Sequence, residues 1–470
     1  MRELLTTCGF EVKELESELP RIEKAFQKLG ITTEDIKRGK QRLATYYDIE
    51  LQGVRKAISL CIRDVVNTVL AKEDGKKKII YGYMAPGFET IASALVTRSE
   101  DVYTANFTGA FQFVMGCIFD KMVPILEAAE QKWLKSGKVS HCGNVKTLVG
   151  IMALDLVPRP DFVTASGELC DTAPKTLNLF TDFYDISTCS YDSCHDREFA
   201  EFPDSTRLMK LSARSIRHLV HKLQEIVGFE ITDEMIWEVI DARGKVQKEL
   251  RKIQDLMEKS DPIPLSPTHE ALLNSVNILT LSIPELAKAK SALNILHNEI
   301  SERVATGKGI VEKGAPRIIS LLPHHFTDPR WEQLPGELGV ALISSENGFF
   351  PMHGNRFIDF EWEMPDDPYE ILSMSLESSL CQSTRARSEI ILEVCKRLHI
   401  DGVLDKYHIG CRINLGDALL IRDDITRELD IPVLLMEWEG FDPRMFNRDQ
   451  IYKRFEIFKD AMTAKRHRKI

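Results

Sequence analysis

The sequence lacks the long apolar runs and the continuous basic stretches that are typical of membrane, secreted and nucleic-acid-binding proteins. No apolar run approaches the roughly 20 residues of a membrane span, and the N-terminal Met1–Thr7 has no apolar core of the kind found in secretion signals. Acidic and basic residues are mixed along the whole length, with a formal net charge of −10, so no continuous basic surface is expected. These absences predict a cytoplasmic protein that binds neither membrane nor nucleic acid.

Cysteine is scarce, and no two cysteines form a CxxC pair. Ten cysteines in 470 residues are too few for a disulfide scaffold. A reducing compartment is therefore expected, in which some cysteines pack in the core and others are free to bind metal. Cys61, Cys117 and Cys395 lie within helical apolar patterns, which predicts core packing for these three.

The motifs of common nucleotide-dependent enzymes and hydrolases are also missing. There is no GxxxxGK[ST], so the chain is not expected to hydrolyse ATP, and no GxGxxG follows a predicted strand where a dinucleotide site would need it. Neither GxSxG nor HExxH occurs, which removes the commonest hydrolase classes. Any enzymatic role must rest on other groups.

Hydrophobic periodicity predicts an α/β fold with two doubly wound domains. Apolar residues recur at three-to-four spacing up to about residue 75 and again from 208 to about 304, which is typical of helices. Elsewhere, short apolar runs alternate with helical stretches, which is typical of parallel sheets. We predict a helical N-terminal segment (1–75), a first α/β domain (76–207), a helical bridging segment (208–312) and a second α/β domain (313–470).

Seven short segments are predicted to be strands of the two sheets. They are Lys78–Met84, Pro160–Ala165, Tyr184–Ser190, Arg317–Leu322, Gly339–Ser344, Gly402–Tyr407 and Pro432–Glu437. The longest predicted helices are Val12–Leu29, Lys37–Ala71, Leu211–Ile226, Thr232–Met257 and Ile283–Val304. In the second domain, helices are predicted near 368–380, 384–397, 414–428 and 447–463.

Cys142, Cys170 and Cys411 stand at chain turns that each look like the end of a buried strand. Parallel sheets gather strand ends on one edge, so a three-thiolate iron–sulfur site between the two domains is the leading hypothesis. Three protein thiolates would leave one iron of a four-iron cluster open to substrate. From the spacing alone, buried structural cysteines are the favoured alternative.

The last part of the chain carries the most specific motifs. The segment Asp401–Cys411, its continuation Ile421–Arg444, and Gln450–Arg454 resemble the C-terminal signature of the 2-hydroxyacyl-CoA dehydratase and benzoyl-CoA reductase family. The resemblance extends over roughly residues 75–460 and is strongest after residue 400.

The middle of the chain resembles the same family. Cys142 and Cys170 are similar to its first two cluster cysteines, and Ala85–Ala94 resembles its N-terminal Pro-x-Glu segment. The resemblance implies two flavodoxin-like α/β domains plus helices, with a [4Fe-4S] cluster held by Cys142, Cys170 and Cys411.

The resemblance also implies how such a protein works. Family members act as two related subunits, which implies a heterodimer with a paralogous chain, although the sequence does not say whether this chain pairs with a paralogue or with itself. A separate ATP-hydrolysing iron–sulfur activator supplies one electron, which the cluster passes to an acyl-CoA thioester to make a ketyl radical under anaerobic conditions. In dehydratases the radical expels the 2-hydroxyl group as water, whereas in reductases the substrate keeps the electrons. The sequence names neither the acyl group nor which of the two reactions occurs.

Three cysteines do not fit this single-cluster pattern. Cys189 and Cys194 form a C-x₄-C pair after a predicted strand, and Cys381 lies in the second domain. If they were ligands, the chain would be a homomeric double-cubane reductase of small molecules. A loop position beside charged residues is favoured for Cys194. A third alternative is a non-catalytic partner subunit that keeps the fold for structure or electron relay.

Several histidines and one glutamate are further candidates for the site. His408, three residues before Cys411, is predicted to hydrogen-bond a cluster sulfur or to deliver a proton, or else to be structural. Glu89 is a candidate catalytic carboxylate that also suits a helix N-terminus. His324–His325 and His353–Arg356 are expected in loops at strand ends, either contacting the acyl-CoA or solvated, and adjacent histidines make a poor chelate.

Overall fold

The computed structural model shows an α/β protein with two separate parallel sheets of four strands each. It describes residues 1–107, 109–132, 141–167, 170–192, 206–349, 365–375, 383–408 and 410–469. The predicted α/β class, with two α/β regions and a helical N-terminus, is confirmed. Over these residues, no helix is both long and apolar enough to cross a membrane.

The N-terminal segment folds into four helices: α1 (Arg2–Thr7), α2 (Val12–Lys28), α3 (Thr33–Tyr46) and α4 (Gln52–Leu70). The start of α3 is fixed locally, because the Thr32 hydroxyl accepts a hydrogen bond from the Asp35 amide at 3.3 Å and the Asp35 carboxylate accepts one from the Thr32 amide at 2.8 Å. Lys37–Ala71 was predicted as one helix but forms parts of two, because Tyr47 has an extended backbone conformation that ends α3.

The first sheet consists of β1 (Lys78–Tyr83), β2 (Val102–Asn106), β3 (Phe162–Ser166) and β4 (Ser187–Tyr191). Its helices are α5 (Phe88–Arg98), α6 (Ala110–Gln112), α7 (Met122–Lys132), α8 (Gly143–Ala153) and α9 (Thr172–Tyr184), with a π-helix at Phe113–Ile118. The strand order is β2-β1-β3-β4, and all neighbours are parallel. Tyr81 and Ile80 pack in different cores on opposite faces, so both faces are covered.

The helical bridge consists of α10 (Thr206–Val227), α11 (Asp233–Lys259), α12 (His269–Asn277) and α13 (Ile283–Ala305). The three predicted long helices are confirmed, and α12 is an additional one after the proline-rich break. Arg243 of α11 is buried and donates to the carbonyl oxygens of Leu279, at 3.0 Å, and of Asn277. These bonds tie the loop after α12 to α11.

The second sheet consists of β5 (Arg317–Leu321), β6 (Ala341–Ser345), β7 (Gly402–His408) and β8 (Val433–Trp438), in the parallel order β6-β5-β7-β8. The helices in this part of the chain are α14 (Arg330–Glu337), α15 (Glu346–Phe349), α16 (Pro368–Ser375), α17 (Thr384–Arg397), α18 (Arg412–Leu429) and α19 (Arg448–Lys469), with a 3₁₀-helix at Pro443–Met445. Of these, α16 packs in a core of the first sheet, where Tyr369 and Leu372 join Ile80. Ile319 and Ile318 again pack in cores on opposite faces.

The two sheets repeat one topology. Each has its strands in the spatial order 2-1-3-4, which is how the five-stranded flavodoxin-like order begins. Each also has a non-glycine residue in the left-handed region directly after its first strand, Met84 with φ 44° and Leu322 with φ 63°. The flavodoxin-like name and the domain boundaries stay predictions.

The two sheet-containing halves touch through close backbone contacts. A Cβ atom on Gly116 would lie 2.5 Å from the Cβ of Thr327, so only glycine permits this approach. Next to it, the Cys117 thiol donates to the carbonyl oxygen of Phe326 at 3.5 Å. The carboxyl ends of the two sheets are thereby held near each other.

Candidate functional site

Each of the three candidate cysteines immediately precedes a helix. Cys142 is the N-cap of α8, Cys411 is the N-cap of α18, and Cys170 is followed by Asp171, the N-cap of α9. Helix N-termini present free amide groups and favour negative charge, which suits thiolates. All three cysteines therefore lie at or next to a helix N-terminus, where free amide groups are available to a thiolate.

The prediction that all three cysteines end strands is correct for two of them. Cys170 follows β3 and Cys411 follows β7, both at the carboxyl edge of their sheet. For Cys142 the strand-end prediction stays a prediction, because residues 133–140, which precede it, lie outside the described residues. The structure places Cys142 at the start of α8.

The structure brings the three cysteines together across the two halves. A Cβ on Gly410, next to Cys411, would lie 2.9 Å from the Cα of Cys142. Burial, followed by the nearby Glu439 carboxylate and the Cys170 and Cys411 thiols, raises the pKa of Cys142 to about 12. None of the eight described cysteines is in a disulfide. Cys142, Cys170 and Cys411 form what we call the thiol site.

The buried thiols of this site need a nearby positive charge, such as a bound metal, to lose their protons. Burial raises the pKa of Cys170 as well, although the amides of Ala173 and Thr172 favour its thiolate. Within the described ranges, no three His, Cys, Asp or Glu side chains converge closely enough to hold a single metal ion. An iron–sulfur cluster differs because each thiolate binds a separate iron, so its ligands stay apart from one another. The donor set therefore fits a cluster better than a mononuclear metal.

Tyr83 supplies an independent test of that fit. It is the last residue of β1, pairs in register with Ala165 of β3, and is completely buried. Its hydroxyl has no hydrogen-bond partner in the described part of the chain. Burial and then the nearby Cys142 and Cys170 thiols raise the pKa of Tyr83 well above its ordinary value, so the hydroxyl keeps its proton. A buried donor beside two cysteines suits a sulfur-rich group.

His408 lies beside the thiol site with both ring nitrogens engaged. Its Nε2 is 2.9 Å from Oε1 of Glu439, and its Nδ1 accepts a hydrogen bond from the Gly410 amide at 3.1 Å. The predicted role of His408 as a proton or hydrogen-bond donor to the cluster stays a prediction. Sequence reasoning missed Glu439, whose signal is a carboxylate directly after the apolar strand β8.

Glu89 lies in the first turn of α5, after β1. Burial raises the pKa of Glu89, and the positive charge of Arg243 partly offsets that effect. The amide groups at the helix start also favour its ionised form. Its predicted catalytic role stays a prediction.

The expectation of solvated loop positions is wrong for His324 and His325. Their exposed fractions are 1% and 0%. The chain after β5 turns inward, and His325 stacks on Trp331 with ring centroids 6.2 Å apart. Burial lowers the pKa of His325 to about 3, so this imidazole is neutral. His353–Arg356 lie outside the described residues.

The remaining cysteines divide into buried and partly exposed ones. Cys61, Cys117 and Cys395 are buried, which confirms their predicted core packing. Cys189 is on β4 and is partly exposed. Cys194 and Cys381 lie outside the described residues, so the double-cubane alternative stays open.

A surface cleft of about 760 Å³ lies at the amino-terminal ends of the strands of the first sheet. Its lining includes Pro158 and Asp161, which precede β3, and Asp185, which precedes β4. This cleft is distant from the carboxyl edge that carries Tyr83 and Cys170. Ligands of open α/β sheets bind at the carboxyl edge, so the thiol site is the candidate functional site.

Fold and site together define a two-sheet α/β protein whose thiol site is built from cysteines of both halves. A family model described as 2-hydroxyglutaryl-CoA dehydratase, D-component, matches residues 107–462. The chain belongs to this family, which confirms the resemblance and points to a component of a dehydratase-type enzyme. A search of curated proteins finds no match.

Proposed function

We propose that the chain is the [4Fe-4S] subunit of an ATP-activated acyl-CoA dehydratase, with Cys142, Cys170 and Cys411 as the cluster ligands. The observation that carries the proposal is the gathering of these three thiols, from both halves of the molecule, at helix N-termini. Family membership supplies the reaction class. The electron comes from a separate ATP-hydrolysing iron–sulfur activator, since this chain has no ATP-binding motif.

When bound, the cluster would supply one-electron reduction of the acyl-CoA thioester. The chain's own residues bind and orient it. The helix amides beside Cys142 and Cys170 favour thiolates, and the buried Tyr83 hydroxyl would be available to donate a hydrogen bond to sulfur. With three protein thiolates, one iron is left for the substrate.

Dehydration is favoured over reduction because the matching family model is that of a dehydratase component. Loss of the 2-hydroxyl group as water is the expected outcome, with a 2-hydroxyacyl-CoA as the substrate class. The word component in the family's description supports a multi-subunit enzyme, and we assign a paralogous chain as the second subunit.

Iron and sulfide content of anaerobically purified protein, with an EPR spectrum of the dithionite-reduced state, is the deciding experiment. About four irons per chain are expected for a single cluster. About eight irons would replace the proposal with the double-cubane reductase, for which Cys189 is the described candidate ligand. No iron after careful reconstitution would make the chain a non-catalytic partner.

Activity separates dehydration from reduction. The iron-loaded chain, its paralogous partner and the activator are incubated with ATP and a 2-hydroxyacyl-CoA, and products are identified by mass spectrometry. Formation of the 2-enoyl-CoA without net consumption of reductant supports the dehydratase. Stoichiometric consumption of reductant would assign a reductase.

A further inference from the structure

Glu439 occupies the meeting point of the two cysteine-bearing loops. It directly follows β8, and only 8% of its surface is exposed. Its Oε1 accepts hydrogen bonds from the Gly143 amide at 2.9 Å and from His408 Nε2 at 2.9 Å, and its Oε2 accepts one from the Phe441 amide at 3.2 Å. One buried carboxylate is thus bonded to both halves of the molecule, and we call these three bonds the Glu439 bridge.

On one side, the Glu439 bridge ends next to a candidate ligand. Gly143 directly follows Cys142 and is the first residue of α8. A Cβ at this position would lie 2.6 Å from Oε2 of Glu439, so only glycine lets the carboxylate reach the amide. The bond therefore fixes the start of α8, and with it the backbone that carries Cys142.

On the other side, the bridge acts on the loop that carries Cys411. The Gly410 amide donates to His408 Nδ1, so the ring proton is on Nε2 and points at Glu439. The amide of His408 itself donates to Oδ1 of Asn414 at 2.9 Å. These bonds hold His408 in place, and Glu439 links it to the Gly143 amide of the first half.

The two loops are in direct backbone contact between these bonds. A Cβ on Gly410 would lie 2.9 Å from the Cα and 3.0 Å from the Cβ of Cys142. Loss of the bridge would leave three donors, the Gly143 amide, His408 Nε2 and the Phe441 amide, without this acceptor. The loops would then separate to let water reach those donors.

We propose that Glu439 is a positioning residue that sets the separation of the Cys142 and Cys411 thiols across the two halves. The proposal rests on the proposed function in that these thiols are taken as cluster ligands. In this role Glu439 acts through its hydrogen bonds to Gly143 and His408.

The test compares Glu439→Ala and Glu439→Gln with Glu437→Gln, all in the full-length chain. Glu437 is a matched control because it lies on β8, two residues before Glu439, with an exposed side chain. The metal-free proteins are treated with dibromobimane, a short thiol-to-thiol cross-linker, and the Cys142–Cys411 adduct is quantified by peptide mass spectrometry. Iron content and EPR spectra are measured after reconstitution, and circular dichroism checks folding.

We expect at least a tenfold slower Cys142–Cys411 cross-link in Glu439→Ala, a smaller loss in Glu439→Gln, and the wild-type rate in Glu437→Gln. In Glu439→Gln the side chain keeps one oxygen acceptor, but its new NH2 group faces at least one of the three donors that the carboxylate served. We therefore expect this variant to retain iron and to show a changed EPR line shape. If Glu439→Ala fails to fold, Glu439→Gln decides. Wild-type cross-linking and an unchanged spectrum in a folded Glu439 variant would overturn the proposal.

The cross-link keeps the two proposals distinguishable. A wild-type protein that takes up no iron, but whose cross-link depends on Glu439, would reject the cluster and support the bridge. A protein with about four irons per chain whose cross-link ignores Glu439 would support the cluster and reject the bridge.

Discussion

Arg387 of α17 donates two hydrogen bonds to the carboxylate of Glu346, at 2.6 and 2.7 Å, and neither side chain is more than 1% exposed. The same carboxylate accepts a third bond, from the Leu322 amide at 2.6 Å. Glu346 begins α15 directly after β6, and Leu322 directly follows β5. This ion pair therefore joins the carboxyl ends of two strands to a helix.

Replacing Glu346 by Ala should lower the free energy of unfolding by about 3–5 kcal/mol, because Arg387 keeps its charge but loses its buried partner. Urea denaturation followed by circular dichroism measures the effect. The control is Arg385→Ala on the same helix, whose ion pair with Glu389 at 3.1 Å is 78% and 41% exposed. That variant should lose less than about 0.5 kcal/mol. Equal losses in the two variants would contradict the prediction.

Cys411→Ala should reduce the iron content from about four per chain to less than about one, because one iron loses its thiolate. Helix content should change little. Cys395→Ala is the matched control, since Cys395 packs in the core of the same half with 3% of its surface exposed. Iron analysis and EPR of both proteins compare them directly, and full iron retention by Cys411→Ala would exclude it as a ligand.

Tyr83→Phe should make the cluster's reduction potential roughly 20–60 mV more negative. The change removes only the hydroxyl, and a hydrogen bond to sulfur of about 0.5–1.5 kcal/mol favours the more negative, reduced state. Redox titration monitored by EPR gives the potential. Tyr81→Phe is the control. Tyr81 lies on the same strand as Tyr83, but its hydroxyl donates to the carbonyl oxygen of Pro158 at 2.9 Å. Identical potentials in wild type and Tyr83→Phe would reject the hydrogen bond.

Stability should depend on pH through Glu130 of α7. Hydrogen bonds from Arg444 and Lys146 outweigh burial and lower the pKa of Glu130 from 4.5 to about 2. A lowered carboxyl pKa stabilises the fold above the unfolded-state pKa, and this stabilisation is lost as the pH falls towards about 2. Glu130→Gln should therefore cost about 1–2 kcal/mol at pH 7 and progressively less below about pH 4.5.

Urea midpoints of wild type and Glu130→Gln, measured from pH 7 to pH 3, test the pH dependence. Glu127→Gln is the control, because Glu127 is exposed on the same helix. A stability difference between wild type and Glu130→Gln that does not shrink at low pH would show that charge is not the source.

The sequence predicted the strands with strong apolar runs, and it missed β2. The segment Val102–Asn106 has no long apolar run, and it becomes a strand by pairing with β1, where Val102 is in register with Lys78. Local pattern reports the hydrophobic faces of an element, whereas pairing partners are set by the tertiary fold. The break between α3 and α4 was missed for a similar reason, since both segments continue the same periodicity.

The sequence was enough to predict the candidate ligand cysteines, but not the hydrogen bonds that support them. Cysteines after apolar strands identified Cys170 and Cys411, while the helix-start position of Cys142 came only from the structure. Glu439 lies 296 residues from Gly143, its hydrogen-bond partner, so no local pattern connects the two. The burial of His325 likewise depends on the rings of Trp331 and Trp438, which pack against it.

The division of the thiol site between the two halves bears on how the protein matures. Cys142 and Cys170 belong to the part of the chain that a ribosome releases first, and Cys411 belongs to the last quarter. A nascent chain that has folded only its first half offers two ligands. The proposed cluster would therefore gain its third ligand only after β7 has docked, and iron uptake would mark a polypeptide whose two halves have come together.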